Sequence, residues 1–285
     1  MAEERSSIII SVFSTTPGIG KTVTAINLSA GLAKEGYKVC LADLDLQFGD
    51  VLNYLKLSAD NLKALSNKNI ANAQKVIDVD ADSFQVKDFL ITYRHQDLTF
   101  AVMPPPKYLY DAYQANVATI ENIVKQLTYF DFVVLDLSSA FSALNLAMLD
   151  ISTIINFVGV IDFLPALKNY KIGYDTLIRF NYEESKIRLV ENRADSQKLI
   201  DGKDVERLLG EPFYHRLPND FPSASKSINQ GLPLMFVAPD SSLTRRFWEL
   251  TGKYTNRATS TDLNKVKTAG IGFFSRLLAF LFGKR

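Results

Sequence analysis

Short apolar runs rich in β-branched residues alternate along this chain with longer stretches in which apolar residues recur every three or four positions. The first pattern is typical of strands buried on both faces, and the second of helices with one apolar stripe. Strands are predicted at residues 7–13, 37–42, 98–103, 131–136, 153–159, 186–191 and 212–216. Helices are predicted near residues 22–35, 116–127, 142–148, 165–180, 203–210, 222–230 and 241–254.

This alternation predicts an α/β fold, with a doubly wound, mostly parallel sheet and helices on both of its faces. Residues 58–96 are predicted to form a polar, partly helical insertion. A chain of 285 residues accommodates one large sheet domain, or at most two small ones. We expect residues 1–254 to form a single domain.

The first predicted strand leads directly into a glycine-containing loop and then a helix; residues 14–22 read Ser-Thr-Thr-Pro-Gly-Ile-Gly-Lys-Thr. Gly18 and Gly20 permit a tight turn whose backbone N–H groups face a phosphate, and the helix adds the positive end of its dipole. Lys21 is predicted to reach the β- and γ-phosphates, and the Thr22 hydroxyl to bind Mg²⁺. The nucleotide-binding residues predicted in this loop are Pro17, Gly18, Ile19, Gly20, Lys21, Thr22 and Val23.

The spacing of this loop departs from the usual phosphate-binding motif, in which glycine and Gly-Lys-Ser/Thr are separated by four residues. Counting back from Gly20, the first glycine would fall at Thr15, and it is missing. The alternative interpretation is a glycine turn with a chance Gly-Lys-Thr. Because strand, loop and helix come in the required order, the sequence favours a phosphate-binding loop with this deviation.

Carboxylates mark the ends of two further predicted strands: Asp43 and Asp45 follow one, and Asp136 is the last residue of another. The carboxyl ends of parallel strands line the ligand crevice of such a sheet. Thr22, Asp43 and Asp136 are therefore the predicted Mg²⁺-side residues, with Asp136 acting through water. The predicted catalytic residues are Lys21 and Asp45, and Asp45 would orient or deprotonate an attacking water.

Each acidic signal is weak when taken alone, because any βαβ sheet can end a strand in aspartate and residues 43–50 also read as a solvated turn. Their position after a phosphate-binding loop favours a nucleotide site. Ser138 and Ser139 follow Asp136, where a switch segment would sense a γ-phosphate.

The chain resembles the MinD/ParA group of P-loop ATPases, and is most similar to the CpaE/TadZ branch associated with Flp-type (tight-adherence) pilus assembly. The segments that carry the resemblance come in family order and at family spacing within residues 7–254. They are Asp43-Leu44-Asp45-Leu46-Gln47-Phe48-Gly49-Asp50, Met103-Pro104-Pro105-Pro106, Arg188-Leu189-Val190-Glu191-Asn192-Arg193, Leu217-Pro218-Asn219-Asp220 and Ile228-Asn229-Gln230-Gly231-Leu232-Pro233-Leu234.

The resemblance implies that ATP or ADP binds with Mg²⁺ and that nucleotide promotes a homodimer. In this group a signature lysine crosses the dimer interface to the partner's nucleotide. Thr16 stands at that position here, and Pro17 replaces the first glycine of the group's loop. The resemblance therefore predicts nucleotide binding with weak ATP hydrolysis, and leaves a non-hydrolysing site as the alternative.

The resemblance also implies where adenine sits. An Asn-Arg pair after a late strand and a Pro-x-Asp loop after the next one frame the base in this group. The matching nucleotide-binding residues here are Asn192, Arg193, Pro218 and Asp220. The alternative is that both segments are ordinary turns, since Asn and Pro-Asn-Asp also favour turns.

Net charge, cysteine content and the length of apolar runs exclude or disfavour several classes of protein. The formal net charge is +1, which gives no electrostatic case for a nucleic-acid partner at the level of the whole protein. Cys40 is the single cysteine, which excludes an intramolecular disulfide and a four-cysteine iron–sulfur cluster shared across a dimer. The charged start lacks a signal-peptide core, and no apolar run reaches the ~20 residues of a spanning helix. We expect a cytoplasmic protein.

The last residues suggest a separate function. Residues 255–269 read as a polar linker, and residues 270–285 as an amphipathic helix flanked by basic residues. Such a helix suits the membrane interface, here at the inner face of the cell membrane, and docking on the protein's own core is the alternative. The predicted membrane-contacting residues are Phe273, Phe274, Leu277, Leu278 and Leu281.

These observations together predict a peripheral membrane ATPase that binds ATP and Mg²⁺, self-associates, and localises or assembles pilus secretion machinery. The alternatives are a non-hydrolysing, nucleotide-gated scaffold and a MinD-type positioning protein. A ParA-type DNA-partitioning ATPase is disfavoured by the neutral charge.

Overall fold

The computed structural model describes residues 7–57, 67–196 and 201–255, which contain one eight-stranded sheet. The strands are β1 (Ile8–Phe13), β2 (Val39–Leu44), β3 (Ile91–His95), β4 (Leu98–Met103), β5 (Phe132–Leu137), β6 (Ile154–Gly159), β7 (Ile187–Glu191) and β8 (His215–Arg216). Their order is β3-β4-β2-β5-β1-β6-β7-β8, and every neighbouring pair is parallel except β3 and β4. This confirms the predicted α/β, doubly wound fold.

Helices cover both faces of the sheet. They are α1 (Lys21–Lys34), α2 (Val51–Tyr54), α3 (Ile70–Val79), α4 (Leu109–Tyr113), α5 (Val117–Lys125), α6 (Ala143–Ile151), α7 (Leu164–Arg179), α8 (Gly202–Leu209), α9 (Phe221–Gln230), α10 (Leu234–Val237) and α11 (Ser242–Thr255). Single 3₁₀ turns lie at Val86–Phe89, Gln126–Tyr129 and Glu184–Lys186. Helices α1, α2, α10 and α11 contribute to the apolar layer on one face, and α3, α5, α6 and α8 to the layer on the other.

Residues with specific backbone roles set several helix ends. The Ser142 hydroxyl accepts the Asn145 N–H at the start of α6, and Asp220 accepts the Ser223 N–H at the start of α9. Gly210 and Gly231 follow α8 and α9 with positive φ angles of 85° and 75°, where glycine avoids the strain of a side chain. Such end signals explain why the seven predicted helices agree closely with the observed ones, whereas the short helices α2, α4 and α10 were not predicted.

The alternation of side chains along the central strands sorts the acidic residues onto one face. In β1, Ile9 and Phe13 join one apolar layer while Ile10 and Val12 join the layer that contains α1. Asp43 in β2 and Asp136 in β5 are register partners of the parallel ladder. They occupy the strand positions that alternation assigns to the α1 face, because Leu41 and Val134, two residues earlier, pack in that layer.

The insertion predicted at residues 58–96 contains a strand that the sequence prediction omitted. Ile70–Val79 is helical, as the partly helical prediction allowed, but Ile91–His95 forms the antiparallel edge strand β3. Ile91 and Tyr93 are buried while Thr92 and Arg94 are exposed. This alternation is typical of a strand with one face in the core, and the polar context of the segment conceals it.

Cys40 is buried in β2, as expected of a small apolar side chain, and burial raises the pKa of its thiol. No helix within the described ranges is long and apolar enough to cross a membrane. Of the predicted linker at 255–269, Thr255 is the last residue of α11, and the remainder lies outside the described residues together with the predicted amphipathic helix at 270–285. Their roles therefore stay predictions.

Candidate nucleotide-binding site

The glycine loop joins the carboxyl end of β1 to α1, where β1 lies between β5 and β6 in the middle of the sheet. Gly18 and Gly20 have φ angles of 71° and 95°, a conformation that strains any residue with a Cβ. Helix α1 begins at Lys21, and the Thr24 N–H donates to the Gly20 carbonyl at 3.0 Å. The loop thus delivers its N–H groups and the start of a helix to one point, as an anion site requires.

The first part of the loop is held by residues outside the motif. Thr15, at the position of the missing glycine, donates its hydroxyl to the Asn169 carbonyl in α7 at 2.8 Å. Gly173 permits this contact, because a Cβ there would lie 2.5 Å from the Thr15 methyl and 2.6 Å from the Phe157 ring. Ser14 closes a local turn by accepting the Thr16 N–H at 3.0 Å. Contacts with α7 therefore hold the start of the loop in place despite its unusual glycine spacing.

Lys21 extends toward the loop that follows β5. Its ammonium group donates to the Ser139 hydroxyl at 2.5 Å. Burial lowers the pKa of Lys21, and the nearby Asp136 and Asp45 carboxylates act in the opposite direction. A cation in this partly desolvated position, beside a helix N-terminus, is suited to a phosphate chain.

Thr22 and Asp136 make the central contact of the site. The Thr22 hydroxyl donates to Asp136 Oδ2 at 2.6 Å. Burial raises the pKa of Asp136 to about 7, although the Thr22 hydrogen bond and the Lys21 charge both oppose that shift. The second oxygen, Oδ1, is buried without a hydrogen-bond partner among the described residues.

Asp43 lies beneath the loop that follows β2. Its Oδ2 accepts the Val51 N–H at 3.0 Å and its Oδ1 accepts the Asp45 N–H at 3.3 Å. The loop packs so closely that a Cβ at Gly49 would lie 2.5 Å from this carboxylate. Burial, followed by repulsion from Asp136, raises the pKa of Asp43 well above its usual range. Asp43 therefore organises the acidic loop as well as lying beside the predicted metal position.

Asp45 lies one residue beyond the end of β2 and is partly exposed. Its Oδ1 accepts the Phe48 N–H at 3.3 Å, within the turn that the sequence 43–50 predicts. Its charge interacts with Lys21, Asp43 and Asp136. The structure thus brings Asp45 to the phosphate-loop lysine, while its role toward an attacking water stays a prediction.

Of the four predicted base-framing residues, the two that follow β7 contact the phosphate loop. The Asn192 amide nitrogen donates to the Ile19 carbonyl at 2.6 Å, and the Arg193 guanidinium donates to the Gly18 carbonyl at 3.1 Å. Pro218 and Asp220 follow β8, and Asp220 serves as the cap of α9. Sequence reasoning gave no sign of the Asn192 and Arg193 contacts with the loop, because more than 170 positions separate the partners.

The donor set suits Mg²⁺ better than a metal held by protein alone. Among the described residues, no group of three His, Cys, Asp or Glu side chains converges on a metal position. Magnesium is usually held by one or two carboxylates together with phosphates and waters. The unpartnered Asp136 Oδ1, next to the Thr22 hydroxyl, offers the hard oxygen that such a shell needs.

Comparison with known proteins agrees with this geometry. A family described as an AAA domain matches residues 7–158. An uncharacterized ATP-binding protein of Methanocaldococcus jannaschii is 24% identical, with 98% of each chain covered.

Two solved structures share the fold. The ParA family ATPase from Chlorobium tepidum superposes with a TM-score of 0.75 at 19% identity, covering 86% of this chain and 98% of that one. The septum site-determining protein MinD from Pyrococcus horikoshii, crystallised with Mg-ADP, superposes with a TM-score of 0.72 at 19% identity, covering 90% and 98%.

Proposed function

We propose that this chain, which belongs to the MinD/ParA family of P-loop ATPases, binds ATP together with Mg²⁺ at the carboxyl edge of its sheet. The observation that carries the proposal is the Thr22–Asp136 hydrogen bond of 2.6 Å beside Lys21. It joins the end of the phosphate loop to the buried carboxylate of a neighbouring strand. The Mg-ADP complex of the Pyrococcus horikoshii MinD supports the choice of ligand.

In this proposal the backbone N–H groups of residues 18–23 hold the phosphate chain, since Pro17 has no N–H to donate, and Lys21 neutralises the β- and γ-phosphates. Thr22 and Asp136 would hold Mg²⁺, with Asp43 behind them. The metal supplies positive charge to the phosphoryl oxygens when it is bound. Asn192, Arg193, Pro218 and Asp220 border the base.

ATP hydrolysis in this proposal is slow. Asp45 is the residue that would orient water, and it lies close enough to Lys21 for their charges to interact. Thr16 contributes no cation where the family resemblance expects one, so charge on the transferring phosphoryl group is less well stabilised. If the hydrolysis rate is zero, the same site makes the protein a nucleotide-gated scaffold that binds ATP without turnover.

We further propose that nucleotide promotes self-association, that residues 270–285 attach the protein to the inner face of the cell membrane, and that it localises Flp/Tad-type pilus machinery. The sequence of residues 43–50 and the Met103-Pro104-Pro105-Pro106 segment support the CpaE/TadZ branch by resemblance. The apolar and basic pattern of residues 270–285 supports the membrane contact.

A MinD-type positioning protein is the second candidate. It is favoured by relatives such as the Thermotoga maritima septum site-determining protein MinD, which is 23% identical over 95% of this chain. Deletion in the native host separates the two: loss of pili with normal septa supports the first candidate, and misplaced septa support the second.

Calorimetric titration with ATP, in Mg²⁺ and then in EDTA, tests the nucleotide site itself. We expect saturable binding that is at least tenfold tighter with Mg²⁺, because Thr22 and Asp136 would hold the metal and its charge would offset that of the phosphates. Absence of binding in both buffers would refute the proposed function.

A further inference from the structure

Two side chains outside the phosphate-loop motif hold the loop backbone. Asn192 donates to the Ile19 carbonyl at 2.6 Å, and Arg193 donates to the Gly18 carbonyl at 3.1 Å. Asn192 also approaches so closely that a Cβ at Gly20 would lie 2.6 Å from its amide nitrogen. Three consecutive loop residues therefore contact one pair of neighbouring side chains.

These hydrogen bonds determine the direction of the loop peptides. In a planar trans peptide the carbonyl of one residue and the N–H of the next point in opposite directions. Holding the carbonyls of Gly18 and Ile19 toward Asn192 and Arg193 therefore turns the N–H groups of Ile19 and Gly20 to the opposite side. That alignment of successive N–H groups is what an anion-binding loop needs.

The pair of side chains is itself well supported. The Asn192 N–H donates to the Gly159 carbonyl at 2.7 Å, and the Asn192 side-chain oxygen accepts the Arg193 N–H at 3.0 Å. These bonds leave the Asn192 amide nitrogen as the group that faces Ile19. The preceding residue, Glu191, is fully buried at the end of β7 and pairs with Arg216 of β8 at 3.0 Å.

We propose that Asn192 and Arg193 are positioning residues of the phosphate loop, which they hold in its anion-binding form independently of any contact with the base. This inference rests on the proposed nucleotide site. It differs from the role that the family resemblance gives this pair, which is to frame adenine. Both roles use the same residues, but they make opposite predictions for a ligand that has phosphates and no base.

Inorganic tripolyphosphate with Mg²⁺ has phosphates and no base. Calorimetry can measure its affinity and that of ATP for the same protein. We expect Asn192→Ala to weaken tripolyphosphate binding by a factor of about ten, the effect of one lost hydrogen bond in a buried setting, and to weaken ATP binding by at least as much. Pro218→Ala, in the base loop, should weaken ATP while it leaves tripolyphosphate unchanged.

Substitution of Arg193 by glycine separates the effect of the side chain from that of the backbone conformation. The φ of 55° at Arg193 is unfavourable for a residue with a Cβ, so Arg193→Gly relieves strain while it removes the guanidinium. We expect this variant to melt no lower than the parent and to lose severalfold in tripolyphosphate affinity. Arg193→Lys, which keeps a cationic donor, should recover part of the loss.

Unchanged tripolyphosphate affinity in folded Asn192→Ala and Arg193→Gly proteins, with weaker ATP binding, would overturn the inference and leave the base-framing role. A parent that binds ATP but not tripolyphosphate would also overturn it, because a loop held by protein contacts must accept phosphates without a base. A parent that binds neither ligand would instead refute the proposed function.

Discussion

The Thr22 hydroxyl and the Asp136 carboxylate are joined by a 2.6 Å hydrogen bond that connects the start of α1 to the end of β5. Both residues lie where Mg²⁺ would bind, and the bond fixes one carboxylate oxygen while the other is buried and has no hydrogen-bond partner in the described part of the chain. A buried, incompletely satisfied carboxylate lowers stability. We therefore expect the ionised Asp136 carboxylate to destabilise the metal-free fold.

Asp136→Asn should stabilise the metal-free protein increasingly as pH rises. Burial raises the pKa of Asp136 to about 7 in the folded chain, from about 4 in an unfolded chain, so between these values the folded state holds more protons and the parent loses stability as pH rises. The variant keeps an oxygen for Thr22 and has no proton to lose. We expect its melting temperature to exceed that of the parent by on the order of 5 °C at pH 8, and by much less at pH 5.

The difference in melting temperature between the parent and Asp136→Asn, followed across pH, isolates the contribution of Asp136. Burial lowers the pKa of His215 to about 4, and this group adds stability to both proteins as pH rises toward 6.5. It therefore cancels in the comparison. A pH-independent gap between parent and variant would contradict the assignment of a raised pKa to Asp136.

Thr16→Lys combined with Pro17→Gly should raise ATP turnover at least tenfold. The added cation would stabilise charge on the transferring phosphoryl group, which Thr16 does not do. Thr16→Gln with Pro17→Gly is the matched control, since it adds a side chain of similar length without charge. Brisk phosphate release by the parent that Asp45→Ala abolishes would show that Thr16 is no handicap.

Gly173→Ala should disturb the phosphate loop from a neighbouring helix. The added methyl group would lie 2.5 Å from Thr15 and 2.6 Å from Phe157, so we expect a loss of about 1–3 kcal/mol in the free energy of unfolding and weaker ATP binding. Gly252→Ala, in a helix position with open space, is the control and should stabilise by up to about 1 kcal/mol. Chemical denaturation measures both, and equal effects of the two substitutions would contradict the account.

Removal of residues 270–285 should abolish sedimentation with anionic vesicles and leave a folded protein. Phe274→Glu with Leu278→Glu should do the same, because apolar burial provides most of the affinity and charge the smaller part. Val79→Glu, at a position that is 88% exposed, adds charge elsewhere and should have no effect. Unfolding or aggregation of the shortened chain would show that the segment belongs to the core.

The sequence predicted the fold well where apolar pattern and motif agree. The β-branched run of β1, the following Gly-Lys-Thr and the strand-end aspartates each specify a local geometry that needs no distant partner. Strand β3 was missed because its alternation lies within a polar segment. The contacts of Thr15 with Asn169 and of Arg193 with Gly18 were not predictable, since side-chain bonds to backbone across more than 150 positions have no sequence signature.

We expect Lys21 and its loop to bind the phosphates of ATP, and titration of Mg-ATP into matched lysine variants tests this most directly. Lys34→Ala, at the other end of α1, removes a surface pair with Asp97 and should leave ATP affinity unchanged. Lys21→Ala should lower it by on the order of 100-fold, because it removes a charge-assisted contact from a partly desolvated site. Equal ATP affinity in the two variants would contradict the account.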